Sequence, residues 1–319
     1  MNKQFNNNLN LLPDFAVSIN SLNKVYKSSN GSVEKHALNN VDLKIRRGTF
    51  FGLLGPNGAG KSTIINIMAG LVKKTSGTVL IWGLDIDRHE RQTRCSIGVV
   101  PQELNLDPFF SPRETLEVQA GLYGVPKTER RTDEILNSVG LYDKADVYSR
   151  TLSGGMRRRL LIAKAMVHSP PILVLDEPTA GVDVELRETL WNSVREMNLR
   201  GTTILLTTHY LEEAEELCDQ IAIINDGDVV ACDDKDSLLK RIDSKTVVFV
   251  FSEPIGVIPY EINFLNPKLR NDNQIEINYR PSLTAIPDIL GAVKNSGLNV
   301  VDIITEEVEL KDIFLQLTS

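Results

Sequence analysis

The segment Gly55-Pro56-Asn57-Gly58-Ala59-Gly60-Lys61-Ser62-Thr63 combines three glycines with a lysine and two hydroxyls in the spacing G-x-x-x-x-G-K-S/T. Glycines let a backbone curl so that successive N–H groups point inward at an anion. A helix opening near Lys61 would add its positive dipole end. Lys61 could then reach the β- and γ-phosphates of a nucleotide, and the Ser62 hydroxyl could ligate Mg²⁺. A second constellation, Asp176-Glu177, follows the continuous apolar run Ile172–Leu175. A carboxylate at the end of such a run can hold Mg²⁺ directly or through water. The next one can accept a proton from an attacking water.

These groups need elements to position them. The run 49–54 reads as a short strand ending at Gly55, and Lys61–Leu71 shows helical spacing. Residues 15–100 otherwise read as strands and turns, including Val17–Ile19, 37–45 and Ile97–Val100. Residues 105–165 read as mostly helical, with segments at 114–123, 129–139 and a basic helix from about Met156. Its Arg157, Arg158 and Arg159 are expected to form a solvated basic face. The runs 172–175 and 203–207 suit strands buried on both faces of a parallel sheet, with a helix at 184–199 between them. Ile221–Ile224 and 229–231, around Asn225-Asp226-Gly227-Asp228, read as a hairpin. Composition changes after about residue 240, where segments at 246–251, 274–279, 285–295, 300–305 and 309–317 predict a small α+β domain.

Composition narrows the function classes. The chain has 319 residues and a net charge of −7, which argues against nucleic acid as the main partner. The three cysteines, Cys95, Cys218 and Cys232, form no C-x-x-C pair, and the four histidines show no metal-ligand spacing. The polar, Asn-rich start lacks the apolar stretch of a signal peptide and reads as a loose tail, residues 1–14. No apolar run approaches the roughly 18 residues of a membrane span. Any transport across a membrane would therefore need a channel supplied by another chain.

Leu152-Ser153-Gly154-Gly155-Met156, taken with Gly55–Thr63 and Ile172–Pro178, resembles the signature of ABC ATPases over about residues 15–235. The ending Glu309–Leu317 is similar to that of ATPases from ABC-2 type exporters of the drug-efflux kind, and the stretches 178–183 and 208–214 point the same way. The resemblance implies an α/β fold of the P-loop NTPase class: a RecA-like core with an antiparallel β subdomain and a helical subdomain (about 105–165) in a cassette spanning 15–240. The remainder, 241–319, would be an accessory α+β domain. It further implies that Gly55 to Thr63 bind ATP with Mg²⁺ and that Tyr26 stacks on adenine. Gln102 would touch Mg²⁺ and the attacking water, and His209 the γ-phosphate. Ser153, Gly154, Gly155 and Asp183 would meet the nucleotide held by a second copy. Catalysis would then rest on Glu177, His209, Gln102 and Lys61, and the metal on Ser62, Gln102 and Asp176. Met156 departs from the commonest signature, which has Gln there, but the exporter group often carries Met. The implied assembly is a head-to-tail pair of identical chains on the cytoplasmic face of a bacterial cell membrane, driving a separate permease. ABC ATPases acting on ribosomes or DNA are the alternative. Against them stand a single set of motifs, no charged linker and no sustained heptad run. A P-loop kinase would lack the signature, and no N-K-x-D motif of a GTPase is present.

Overall fold

The computed structural model describes residues 12–27, 34–179, 184–240, 245–306 and 309–318, with only the backbone of 184–186. Most of the expected tail, Asp183, and the start of the expected C-terminal domain lie outside these residues. The chain divides into two compact units, one up to Lys235 and one from Asp236 to Leu317.

In the first unit, β1 (Phe15–Tyr26) and β2 (Lys35–Arg46) are long antiparallel neighbours. With β4 (Ser76–Ile81) and β5 (Leu84–Asp85) they form a sheet of order β2-β1-β4-β5. A second sheet, of order β10-β9-β3-β8-β7-β6, is built from β3 (Phe50–Leu54), β6 (Ile97–Val100), β7 (Ile172–Asp176), β8 (Thr203–Thr207), β9 (Gln220–Asn225) and β10 (Asp228–Asp234). All its pairs are parallel except the β9–β10 hairpin. Every residue of β3 and β8 is buried, as a sheet covered on both faces requires. Ile19, Leu38 and Val79 of the first sheet, Phe51 and Val174 of the second, and Ile64 of α1 (Lys61–Met68) share one core. α1 stops before the expected Leu71, because Gly70 turns the chain with φ 73°.

Between β5 and β7 lie α2 (Glu90–Cys95), α3 (Pro112–Leu122), α4 (Thr132–Ser138) and α5 (Gly154–Met166). α3 begins two residues before the expected Glu114. Ser111 and Glu114 form a reciprocal capping box, with Pro112 in the first turn. Leu116 of α3, Leu136 of α4 and Leu160 of α5 meet in a second core. α6 (Val184–Leu199) and α7 (Leu211–Leu217) flank β8, and α8 (Lys235–Leu239) follows β10.

The second unit is an antiparallel sheet of order β12-β13-β11-β14, formed by β11 (Lys245–Phe251), β12 (Lys268–Asn271), β13 (Gln274–Tyr279) and β14 (Val300–Glu306). α9 (Ile286–Asn295) packs Ile289 and Val293 into a core with Val247, Phe249 and Ile277, and α10 (Leu310–Thr318) ends the chain.

Candidate active site

The expected chemistry gathers at the carboxyl ends of four neighbouring strands. β3 runs directly into the glycine loop. A side chain at Gly55 would stand 2.3 Å from the carbonyl of Ile224, and one at Gly60, where φ is 114°, 2.8 Å from that of Ala37. The loop is thus pressed against its neighbours where only glycine fits. No side chain caps α1, so its first N–H groups remain available to an anion. Lys61 is 6% exposed. Its ammonium donates to the carbonyls of Gly55 (2.7 Å) and Pro56 (3.0 Å). Burial lowers its pKa, against the opposing pull of the Glu177 and Asp176 charges. A desolvated cation held only by carbonyls is well prepared for phosphate.

At the end of β7, Asp176 accepts a hydrogen bond from the hydroxyl of Thr207, its register neighbour on β8, at 2.5 Å. Glu177 adopts φ 46°, a strained conformation for a residue with a side chain. Its N–H is tied to the Thr207 carbonyl at 3.0 Å. Glu177 Oε2 accepts from Gln102 Nε2 at 2.9 Å and lies 3.2 Å from His209 Nδ1. The loops after β6, β7 and β8 therefore converge on one carboxylate oxygen.

Tyr26, Asn57, Gly58, Gly60, Lys61, Ser62, Thr63, Gln102, Glu177 and His209 line one cleft of about 540 Å³. Its volume lies within the usual range of small-molecule sites. Gly55 and Ala59 form the buried back of the loop beside Pro56. Tyr26 is exposed at the cleft wall, with the Lys24 ammonium 4.5 Å from its ring centroid. Asp176 stands beside the cleft through Thr207. Ser153, Gly154 and Gly155 do not line it. Ser153 caps α5 by accepting from the Met156 N–H at 3.3 Å, and a side chain at Gly154 would meet no atom within 4 Å.

Three contributors escape the sequence motifs. Lys35 lines the cleft as the cross-strand neighbour of Tyr26, and Thr207 binds Asp176. The third corrects an expectation, since the arginines of α5 are not a solvated face. Arg158 is 4% exposed and donates to the carbonyls of Pro101 and Gln102, both at 2.9 Å. Arg159 donates to the carbonyl of Val139 at 2.7 Å. Consecutive helical residues point about 100° apart, so three arginines in a row reach three surroundings. The loop carbonyls of 101–102 and 139–140 have no ladder partner and take these donors instead. Burial lowers the pKa of Arg158 from its ordinary value.

A site of this construction handles a phosphoryl group at the carboxyl edge of a parallel sheet, which places the chain among P-loop nucleotide hydrolases. Residues 38–180 match the family described as ABC transporter. Among curated relatives, the chain is 34% identical to the Nod factor export ATP-binding protein I of Ralstonia nicotianae, over 89% of this chain and 90% of that one. It is 33% identical to the linearmycin resistance ATP-binding protein LnrL of Bacillus subtilis (89% and 94% covered). To the daunorubicin resistance ATP-binding protein DrrA2 of Streptomyces coeruleorubidus it is 36% identical (89% and 91% covered). Among solved structures it is similar to the ATP-binding cassette MJ0796, a dimer in a post-hydrolysis state with ADP and Pi. There the TM-score is 0.60 at 31% identity, covering 69% of this chain and 98% of that one. The chain belongs to the ABC transporter family, as an ATP-hydrolysing subunit of the ABC-2 exporter kind.

Proposed function

We propose that two copies of this chain pair head-to-tail, bury two ATP molecules between them, and drive export through a separate membrane-spanning permease at the cytoplasmic face of a bacterial cell membrane. The convergence of Gln102, Glu177 and His209 opposite Lys61 carries the catalytic half of this reading. The glycine at 154 supports the other half. It is exposed, has no positive φ, and a side chain added there would meet no atom within 4 Å. Glycine there suits a close approach from outside, and the helix start offers N–H groups to a phosphate. Asp183 would face the same partner copy.

In this reading Tyr26 stacks on adenine, and the N–H groups of 55–63 and Lys61 hold the β- and γ-phosphates. Glu177 takes a proton from the attacking water, Gln102 orients that water, and His209 donates to the γ-phosphate. Among the described residues no cluster of three or more acidic, histidine or cysteine groups could cage a metal. That suits Mg²⁺, which is ordinarily held by one or two protein oxygens together with substrate phosphates. Ser62 and Asp176 would hold it, with the Gln102 amide oxygen beside them; when bound, it neutralises phosphate charge. Exposed Phe109, Phe110 and Leu104, a few residues beyond Gln102, offer the permease an apolar contact next to the water-orienting loop.

Two measurements test this. Affinity capture of the tagged chain from detergent extracts of its source cells recovers a polytopic membrane protein; recovery of ribosomes instead overturns the transport reading. With ATP, Glu177→Gln elutes at twice the monomer mass, and a monomer under those conditions refutes the shared site.

A further inference from the structure

Glu213 lies in the stretch 208–214 but has no role in the site described above, although it is a buried carboxylate beside it. It lies on α7 and is 5% exposed. One oxygen, Oε2, accepts from the hydroxyl of Thr179 at 3.0 Å and from that of Thr208 at 2.9 Å. Thr208 Oγ1 also accepts from the N–H of Tyr210 at 3.0 Å. The other oxygen, Oε1, sits 3.4 Å from Arg187 Nε, and that guanidinium lies 4.7 Å from the Tyr210 ring centroid.

The two threonines matter by their places in the chain. Thr179 is two residues past Glu177, and Thr208 immediately precedes His209. One carboxylate oxygen thus joins the loops after β7 and β8, on which the catalytic carboxylate and histidine stand 3.2 Å apart. Glu213 itself does not line the nucleotide cleft. Glu177 sits at an unfavourable φ of 46°, and such a conformation persists only where its surroundings over-determine it. Thr207 restrains it from β8, and Glu213 restrains the next residues of the same loop through Thr179. We infer that Glu213 is a positioning residue for hydrolysis, which fixes how closely His209 approaches Glu177. Arg187 of α6 adds an ion-pair contact to the other oxygen without a hydrogen bond between them. The inference rests on the proposed catalytic roles of Glu177 and His209.

The test uses the full chain with Mg²⁺ and ATP, measuring phosphate release, ATP affinity by calorimetry and the thermal midpoint. Glu213→Gln keeps the volume and removes the charge that both hydroxyls and Arg187 address. Its kcat falls on the order of 10²-fold, the scale of a small misplacement of a reacting group, while the ATP Kd stays within about twofold, since phosphate binding does not use this residue. Thr208→Val keeps the shape and loses about tenfold, and adding it to Glu213→Gln costs little more, because the two changes break one network. A kcat that falls only in proportion to ATP affinity and thermal midpoint marks a merely structural carboxylate and overturns the inference. So does wild-type turnover in Glu213→Gln or, should that variant not fold, in Thr208→Val. Glu177→Gln is assayed alongside. Wild-type turnover there sinks the catalytic reading itself, whereas loss there with full activity in Glu213→Gln sinks only the positioning role.

Discussion

The large mixed sheet of the first unit and the antiparallel sheet of the second use their buried apolar side chains differently. In the sheet β10-β9-β3-β8-β7-β6, β3 and β8 are buried at every residue. In the C-terminal sheet β12-β13-β11-β14, β12 is exposed throughout and β14 nearly so. A parallel sheet covered on both faces has only its strand ends in contact with solvent, and its chemistry is concentrated there. Gly55, Gln102, Glu177 and His209 all follow the carboxyl ends of its strands. The antiparallel sheet buries its two central strands and exposes its two edges, where Arg270 of β12 pairs with Glu306 of β14 at 2.6 Å. The first arrangement builds a reaction site; the second builds a surface.

Substitutions that leave each fold intact sharpen this contrast. The largest effect is expected at Glu177→Gln, which removes the proton acceptor while keeping its shape. Turnover drops by about 10² to 10⁴, with ATP still bound; unchanged phosphate release from the purified variant refutes the assignment. Lys61→Ala comes next. It deletes the buried ammonium and with it charge-assisted bonds to phosphate worth about 1.5–3 kcal/mol each. ATP affinity weakens by roughly tenfold or more, and an unchanged Kd by calorimetry contradicts the role. Arg158→Met follows. It strips donors from the carbonyls of Pro101 and Gln102, and each unsatisfied buried acceptor costs about 1–3 kcal/mol. The loop that carries Gln102 loosens, so turnover falls while ATP affinity holds; equal kcat in variant and wild type shows that the loop keeps its place without the arginine.

These variants also separate what the sequence reveals from what it conceals. The glycine loop and Asp176-Glu177 are legible because their chemistry is local: the spacing along the chain is the geometry. The same holds for β7 and β8, whose uninterrupted apolar runs can only be central strands. Thr207 is not legible, since its partner Asp176 is set by the register of β7 against β8. Glu213 reads as one more acid on an acidic helix until Thr179 and Thr208 are brought to it on the loops that follow β7 and β8. Arg158 reads as surface charge because nothing in Arg157-Arg158-Arg159 says which of the three faces loop carbonyls. The boundary between the units is only partly legible: the change of composition places it near 240, whereas chain contacts divide at Lys235. The hairpin strand β10 and helix α8 lie close to that point, and local composition does not say with which unit such elements pack.

The smallest effect on catalysis is expected from the largest insult to the other sheet. Phe249 is 1% exposed and lies at the centre of the C-terminal core with Val247, Ile277 and Ile289. Phe249→Ala removes most of a buried ring, and such truncations cost about 3–5 kcal/mol. A unit of this size holds only a few kcal/mol of net stability to begin with. The second unit should therefore melt early or remain unfolded in the variant. The first unit has its own two cores, and the cleft proposed to take nucleotide is lined by residues between 26 and 209. Calorimetric scanning should show the loss of one transition, with ATP Kd preserved in the same sample. If ATP binding is lost together with the C-terminal transition, the reaction site depends on the second sheet for its stability, and the separation of roles between the two sheets fails.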